Sequence, residues 1–318
     1  MQPIIELKSE LEGIIKLEII KEDGTLKEAE GLNTPFYNLI TDAGLNFVSG
    51  NTTIVAAANY CRVGTSSTTP TVSDTTLGSQ TGSSSPPGTT TSSAQYTEVP
   101  YYSGHQKVYT FAVGAVSGNL TEIGFFSASS GGTMWSRALI KDSGGNPTTL
   151  TLLATEQLKV TYIVRRYIPT TITGSFTLST NGTNTTINYN IKPANINNIY
   201  ASWLGGYVSV DRLYLWAYET DILGNITAGP SGTASSVIQE NMDSYIQGSF
   251  YRQTTVVAGT ATANFSSGIG SIVFFHNVSS EAAYSTGYQC SFSPKIMKTS
   301  SQTLSIGIRL SWGRTTQQ

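Results

Sequence analysis

The chain has 318 residues, and only 12% of them are charged, about half the ~25% of an average soluble domain. Its net charge is −2 and no basic run exceeds the pair Arg165-Arg166, so the basic patch that a nucleic-acid partner requires is missing. No apolar stretch approaches the roughly 18 residues of a membrane helix, and no membrane insertion is expected.

Gly, Ser, Thr, Asn and Tyr take the place of the missing charges. Thr and Tyr suit strands and the small polar residues suit turns, so the balance points to an all-β fold. A surface poor in charge also has little long-range repulsion to keep copies apart. That fits a subunit packed against neighbours, and equally a lightly charged, loop-rich β protein. The N-terminus, Met1 to Lys8, shows neither a cationic start nor an apolar h-region. An exported β-barrel would need such a signal, so synthesis and assembly in the cytoplasm are expected.

In chain order, residues 11–28 read as a β-hairpin. Ile15, Leu17 and Ile19 alternate with Lys16 and Glu18, and Asp23-Gly24 supplies the turn. One short helix follows, with Thr34 as cap, Pro35 at its first position, Phe36, Leu39, Ile40 and Ala43 on one face, and Gly44 at its end. Residues 64–95 are a Ser/Thr/Pro/Gly tract with no apolar face, read as one long loop. Such a loop either drapes over a neighbouring subunit or stays a disordered surface loop. Strand signals return at Val108 to Gly114, at Ile123 to Phe126 after a Gly118-Asn119 turn, and at Trp135 to Ile140. The strongest is Leu158 to Tyr167, with Leu158, Val160, Tyr162 and Val164 on one face. Ile172 to Leu178 is expected to pair with Thr186 to Ile191 across Asn181-Gly182. Leu213 to Tyr218 reads as a central strand, and Leu304 to Trp312 closes the chain.

The fold class is therefore all-β, with two β-sandwich-like domains and one short N-terminal helix. Residues 1–168 hold the hairpin, the helix and a sandwich with the 64–95 loop; residues 169–318 hold the second sandwich. The halves echo one another. His105 to Phe126 and Gly248 to Phe275 each run strand, Gly-rich turn, then Glu-Ile-Gly-Phe-Phe or Ser-Ile-Val-Phe-Phe. Trp135 to Lys141 and Phe292 to Lys298 each lead into an alternating strand. The order fits a duplicated sandwich; chance likeness between Gly/Ser-rich strands is the rival reading.

Chemistry is sparse. Cys61 and Cys290 are expected as free buried thiols, and two Cys with two distant His make no zinc site. His105 and His276 are the only histidine bases available to a triad, and both read as packing or surface residues. Glu122, Glu219, Asp221, Glu240 and Asp243 are the carboxylates open to a glycosidase pair, but nothing in a β protein's spacing brings two of them together. No Gly-x-Ser-x-Gly elbow, P-loop or dinucleotide motif occurs. No catalytic residue, metal or cofactor is expected, and no enzymatic activity. Tyr96, Tyr101, Tyr102 and Tyr109 cluster near the long loop, and Tyr200, Tyr207, Tyr214, Trp216 and Tyr218 near the second-half strands. Aromatics in strands serve cores and protein interfaces more often than sugar platforms. Tyr96, Tyr101, Tyr102, Tyr109, Trp216 and Tyr218 are the candidate interface or ligand contacts.

Three segments carry a resemblance. They are Phe36 to Leu45 after the hairpin, Arg62 to Leu77, and Thr121-Glu122-Ile123-Gly124-Phe125 with the strand ending at Tyr167. In this order they resemble a recurring pattern in structural and tail-associated proteins of tailed bacteriophages, over about residues 11–168. The resemblance implies a β-rich virion module that works by oligomerising, and it carries no catalytic residues. The expected function is a structural subunit of tail, collar, baseplate or attached appendage, located in the virion. It would act through homo-oligomeric contacts and contacts with other virion proteins. A fibre protein binding a host-surface glycan or receptor, a head decoration protein and a depolymerase are the alternatives.

Overall fold

The structure, a computed structural model, describes residues 3–27, 34–47, 49, 57–84, 86–180, 182–196, 212–241, 243–276 and 287–316. Tyr200 and Tyr207 lie outside the described residues. Among those described, strands β1–β21 and one short helix make up the regular structure, in several sheets. No described helix is long and apolar enough to cross a membrane.

Strand β1 (Ile4–Ile20) buries Ile5, Leu7, Leu11, Ile15, Leu17 and Ile19. The chain then turns at Asp23-Gly24. Gly24 takes φ +81°, and the Thr25 amide and hydroxyl both donate to the Asp23 carboxylate. Strand β2 (Leu26–Lys27) returns antiparallel, so the hairpin stands as expected, with a longer first strand.

The helix starts later than Pro35 implies. Strand β3 (Phe36–Tyr37) pairs with Ile14 and Ile15, and β4 (Leu39–Ile40) with Ser136 and Arg137. These long-range ladders claim the first expected turn, and α1 (Asp42–Phe47) follows Thr41, whose Oγ1 accepts the Gly44 amide at 3.0 Å. Gly44 therefore lies inside the helix and does not end it. A Cβ there would overlap the Trp135 carbonyl oxygen, so glycine lets the helix lie against that strand.

Strand β5 (Tyr60–Gly64) opens the Ser/Thr tract. The tract is not one loop, because β6 (Gln80–Ser83) and β7 (Thr89–Gln95) lie within it. A ladder strand needs paired backbone rather than an apolar face, and β6 finds that pairing on Arg62–Gly64. Next come β8 (Tyr102–Thr110), β9 (Gly118–Leu120), β10 (Glu122–Phe126), β11 (Met134–Leu139), β12 (Leu150–Leu152) and β13 (Gln157–Tyr167). The expected strand through Gly114 stops at Thr110; Gly114 has φ +72° in a turn. The alternation of β13 is as read, with Leu158, Val160, Tyr162 and Val164 buried.

The remaining strands are β14 (Ile172–Thr180), β15 (Thr183–Ala194), β16 (Arg212–Tyr218), β17 (Ala234–Asn241), β18 (Tyr251–Ala258), β19 (Ile269–His276), β20 (Gly287–Ile296) and β21 (Leu304–Arg314). The β14–β15 hairpin has the expected partners, Ile172 facing Ile191 and Thr180 facing Thr183.

The chain divides into two compact units. The first holds residues 10–93, 104–166 and 313–318; the second holds 1–9, 94–103 and 167–312. Each unit is thus built from three segments of the chain. The first residues go with the second unit because they pair there: Gly307 N donates to Pro3 O at 2.8 Å.

In the first unit, one sheet has the order β4-β11-β10-β5-β6, and the order β1-β13-β8-β7 supplies the facing layer. Between them the Phe125 and Tyr162 rings stack at 3.7 Å, Tyr109 packs on Phe125, and Trp135 Nε1 donates to the Tyr162 hydroxyl at 2.7 Å. In the second unit, β14-β15-β20-β19-β16-β17 faces β18-β21-β1. Phe176, Ile191, Leu215, Phe274 and Phe292 meet Ile5, Leu7, Val256, Ile308 and Leu310 in one apolar core. Each unit is a β-sandwich.

The two units repeat one topology. The chain order β4, β5, β6, β8, β10, β11, β13 corresponds to β15, β16, β17, β18, β19, β20, β21. The sheet orders β4-β11-β10-β5-β6 and β15-β20-β19-β16-β17 are then identical, and β8 lies beside β13 as β18 lies beside β21. Register agrees as well. Gly124 faces Arg62 on one side and Arg137 on the other; Val273 faces Trp216 and Gln289. This matches the Glu122–Phe126 and Ser271–Phe275 landmarks residue for residue. The second landmark must shift, since Arg137 corresponds to Gln289 and not to Pro294.

Candidate interaction surface

Two loops in equivalent places are latched onto sheets by buried polar side chains. In the first unit the β5–β6 connection, residues 65–79, is Ser/Thr-rich, and its one buried apolar side chain is Leu77, set against Phe126 and Met134. It is held by Glu122 of β10 and Arg137 of β11, whose side chains are 0% and 3% exposed. Arg137 Nε reaches Glu122 Oε2 at 3.0 Å, Nη1 reaches Asp74 Oδ2 at 2.6 Å and Nη2 reaches Thr68 O at 3.0 Å. Glu122 in turn accepts the amides of Ser66, Gly78 and Ser79. The loop thus satisfies its backbone on the sheet's charged residues, and the buried carboxylate is balanced by Arg137 and three amides. Burial works to raise the Asp74 carboxyl, but the Thr71 hydroxyl and amide, together with Arg137, outweigh it and hold it below its usual range.

In the second unit the β16–β17 connection, residues 219–233, is held by neutral groups and one lysine. Gln289 of β20, fully buried, donates Nε2 to the carbonyls of Pro193, Gly224 and Asn225 at 2.9, 3.1 and 3.1 Å. Ser271 Oγ donates to Thr220 O at 2.7 Å, and Lys295 Nζ to Glu219 O at 2.8 Å. A Cβ at Gly270 would overlap the Thr220 backbone, so glycine lets the loop lie flat. Sequence reading missed both latches. The signal is plain for Glu122, a lone charge at the head of Ile123-Gly124-Phe125-Phe126; Arg137 and Gln289 sit in strands that also carry Ser and give less to read.

The six aromatic candidates do not form one site. Tyr109 is a correction: it is 0% exposed, packs on Phe125 and donates its hydroxyl to Ala58 O, so it belongs to the first core. Tyr102 is partly buried against Tyr167 in an edge contact at 5.6 Å, and Tyr101 packs on the second core. Tyr96 is exposed in the segment after β7. Trp216 is 41% exposed between the buried Leu215 and Ala217, on the outer face of its sheet, and the partly buried Tyr218 shares that face. Trp216 occupies the register position of Arg62, which instead is buried over the Phe126 ring and donates to Ala128 O and Gly131 O.

The titratable candidates are dispersed. Glu122 is spent on the latch. Glu219 accepts from Ser266 and Ser267, which hold its carboxyl below the usual range. Asp221 lies 4.0 Å from Lys295, and the Asp243 backbone pairs with Gln253 and Arg252. The side chains of Tyr214, Glu240 and His276 lie outside the described residues. His105 lies in β8; its Nδ1 meets Ser92 Oγ at 3.2 Å, and burial first and Lys107 second lower it to about 4. Cys61 and Cys290 are free and buried, and burial raises both thiols. Among the described residues no three metal-binding side chains converge. A groove of about 480 Å³ lies in the second unit, lined by Thr177–Thr180, Met297 and Gln302–Ser305. The amine of Lys298 at its rim is taken by Thr262 O and Asn264 Oδ1. Comparison of the chain with protein-family models, curated proteins and solved structures found no match to any of them.

Proposed function

We propose that the chain is a structural subunit of a tailed-bacteriophage virion, of the tail, collar, baseplate or an attached appendage, acting by homo- and hetero-oligomeric assembly. One observation carries the reading: deeply buried polar residues at corresponding strands of both repeats, Glu122 with Arg137 and Gln289 with Ser271, fasten loops to sheets. Rigid sandwiches with fastened loops and few charges suit permanent packing against neighbours. The resemblance of residues 11–168 to tail-associated proteins supplies the viral context. Immunogold electron microscopy of particles with antibody to this chain tests it. Label at one structural position supports the reading, and particles that never carry label refute it.

A fibre protein touching a host glycan or receptor is the second reading, favoured by the exposed Trp216 beside Tyr218. Trp216→Ala in the assembled particle separates the two. Lost adsorption with intact assembly favours receptor contact. Deleting residues 78–95 does not separate the readings, because it removes β6 and β7 entirely.

A further inference from the structure

We propose that the free edge of β14 is a docking edge for a second copy of this chain, pairing β14 with β14 antiparallel about a two-fold axis at Phe176. The proposal rests on the assembly reading and names the surface through which copies join. Among the described residues β14 ends its sheet, with β15 as its single neighbour. Nine residues pair without a register shift, from Ile172–Ile191 to Thr180–Thr183. The pair closing a two-residue hairpin is hydrogen-bonded, and hydrogen-bonded pairs alternate along the strand. Thr180, Leu178, Phe176, Gly174 and Ile172 therefore bond to β15. The N–H and C=O groups of Thr173, Ser175, Thr177 and Ser179 point outward, with no further partner among the described residues.

Natural edges are guarded by Lys, Pro, bulges or covering segments. β14 carries no Lys, Pro or bulge, and no Asp, Glu, Lys or Arg occurs between Pro169 and Lys192. Side chains anchor the edge strand to its sheet: Phe176 packs against Phe292, and Tyr189 covers Gly174. By contrast, the outer strand β7 has exposed side chains on both faces over most of its length.

The edge is self-complementary. With Phe176 on the axis, Thr173 faces Ser179 of the second copy and Ser175 faces its Thr177. Every outward N–H and C=O then finds a partner, as two bonds per residue pair. The cross-strand neighbours are Thr and Ser, which favour each other, and no like charges meet. A partner selected by charge would find nothing to read here, which argues for the chain's own copy.

Analytical ultracentrifugation of the full chain across a concentration series tests this, with two variants. Thr177→Pro removes one outward N–H at a place where an edge strand tolerates proline. It should raise the dimer dissociation constant at least tenfold, leaving circular dichroism and melting unchanged. Ser175→Cys/Thr177→Cys should give a covalent dimer on oxidation, since facing Cα atoms stand about 5.5 Å apart; the native thiols are buried and do not compete. If wild type and T177P associate equally and the double-cysteine variant stays uncrosslinked, the edge proposal falls while the assembly reading stands. If T177P melts early, crosslinking alone decides, and its absence overturns the proposal. A chain that is monomeric at every concentration and gives no crosslink refutes the edge and removes the homo-oligomeric part of the proposed function.

Discussion

Replacing Arg137 by Met tests the first latch most directly. The guanidinium is almost fully buried and bonds Glu122, Asp74 and Thr68 O, while Glu122 is wholly inaccessible to water. Removing one partner of a buried ion pair strands the other charge, at a cost of about 3–5 kcal/mol. Glu122 keeps the amides of Ser66, Gly78 and Ser79, so the lower half of that range is expected, about 3 kcal/mol. Urea unfolding reads the total through the first unit's transition. Hydrogen exchange at the Gly78 and Ser79 amides reads the loop, and about 3 kcal/mol corresponds to roughly a hundredfold faster exchange.

The companion variant Glu122→Gln/Arg137→Met decides the cause. With the stranded charge removed, the double variant should be more stable than R137M alone, a non-additivity expected of contacting residues. A single variant costing under about 1 kcal/mol, or a double variant no better than the single, would refute the claim that these charges hold the loop.

Gln289→Leu leaves two carbonyls of the second loop, Gly224 and Asn225, and that of Pro193 in β15 without their donor. A loss of about 1–3 kcal/mol is expected, with new protease sensitivity within residues 219–229. The native protein should leave a thiol reagent unreacted and the denatured protein should consume two equivalents, because both cysteines are buried and raised. His105 titrates near 4 when folded against 6.5 in an open chain. The unfolded state takes the proton first, so stability is full above about pH 6.5 and falls as pH drops toward 4. Imidazole NMR titration and urea curves at several pH values check both parts, and His105→Gln should flatten that slope. Asp74, held low, contributes stability above its ordinary value of 3.8, lost as pH falls through its folded value. The second latch rests on Gln289 and Ser271, which carry no charge. Brief pepsin treatment should therefore cut residues 65–79 before residues 219–229, and equal cutting would count against the assignment.

Much of the fold was legible because short-range pattern settles it. β13 shows its buried face through alternation alone, and Asp23-Gly24 and Asn181-Gly182 mark hairpins whose described partners are as read. What escaped depends on distant partners. Pro35 is a sound helix start in isolation, but Phe36 and Tyr37 are drawn into a ladder with Ile14 and Ile15. The Ser/Thr tract looks structureless because its fastening residue, Glu122, lies 43 residues beyond Ser79. Alternation in β8 separates Tyr109 from Val108 but does not say which face is covered; the Phe125 ring decides it. The exchange of chain ends between units has no local signal, since it follows from where β1 finds pairing.

The repeat explains why the two halves agree in topology while their sequences diverge. What the sandwich requires at the paired positions is an inward apolar residue, and Ile123 and Phe125 correspond to Ile272 and Phe274 accordingly. On the outer face the requirement is weaker: some group must satisfy the backbone of the crossing loop. A carboxylate accepts amides and an amide nitrogen donates to carbonyls, so the choice depends on which backbone groups the loop turns downward. The first loop presents N–H groups to Glu122 and the Thr68 carbonyl to Arg137, which also balances the charge. The second presents C=O groups and meets Gln289 and Ser271, which need no balance. Loop orientation and latch chemistry are thus one choice: exchanging Glu122 with Ser271 in thought leaves the first loop's amides short of an acceptor and sets a carboxylate against the Thr220 carbonyl.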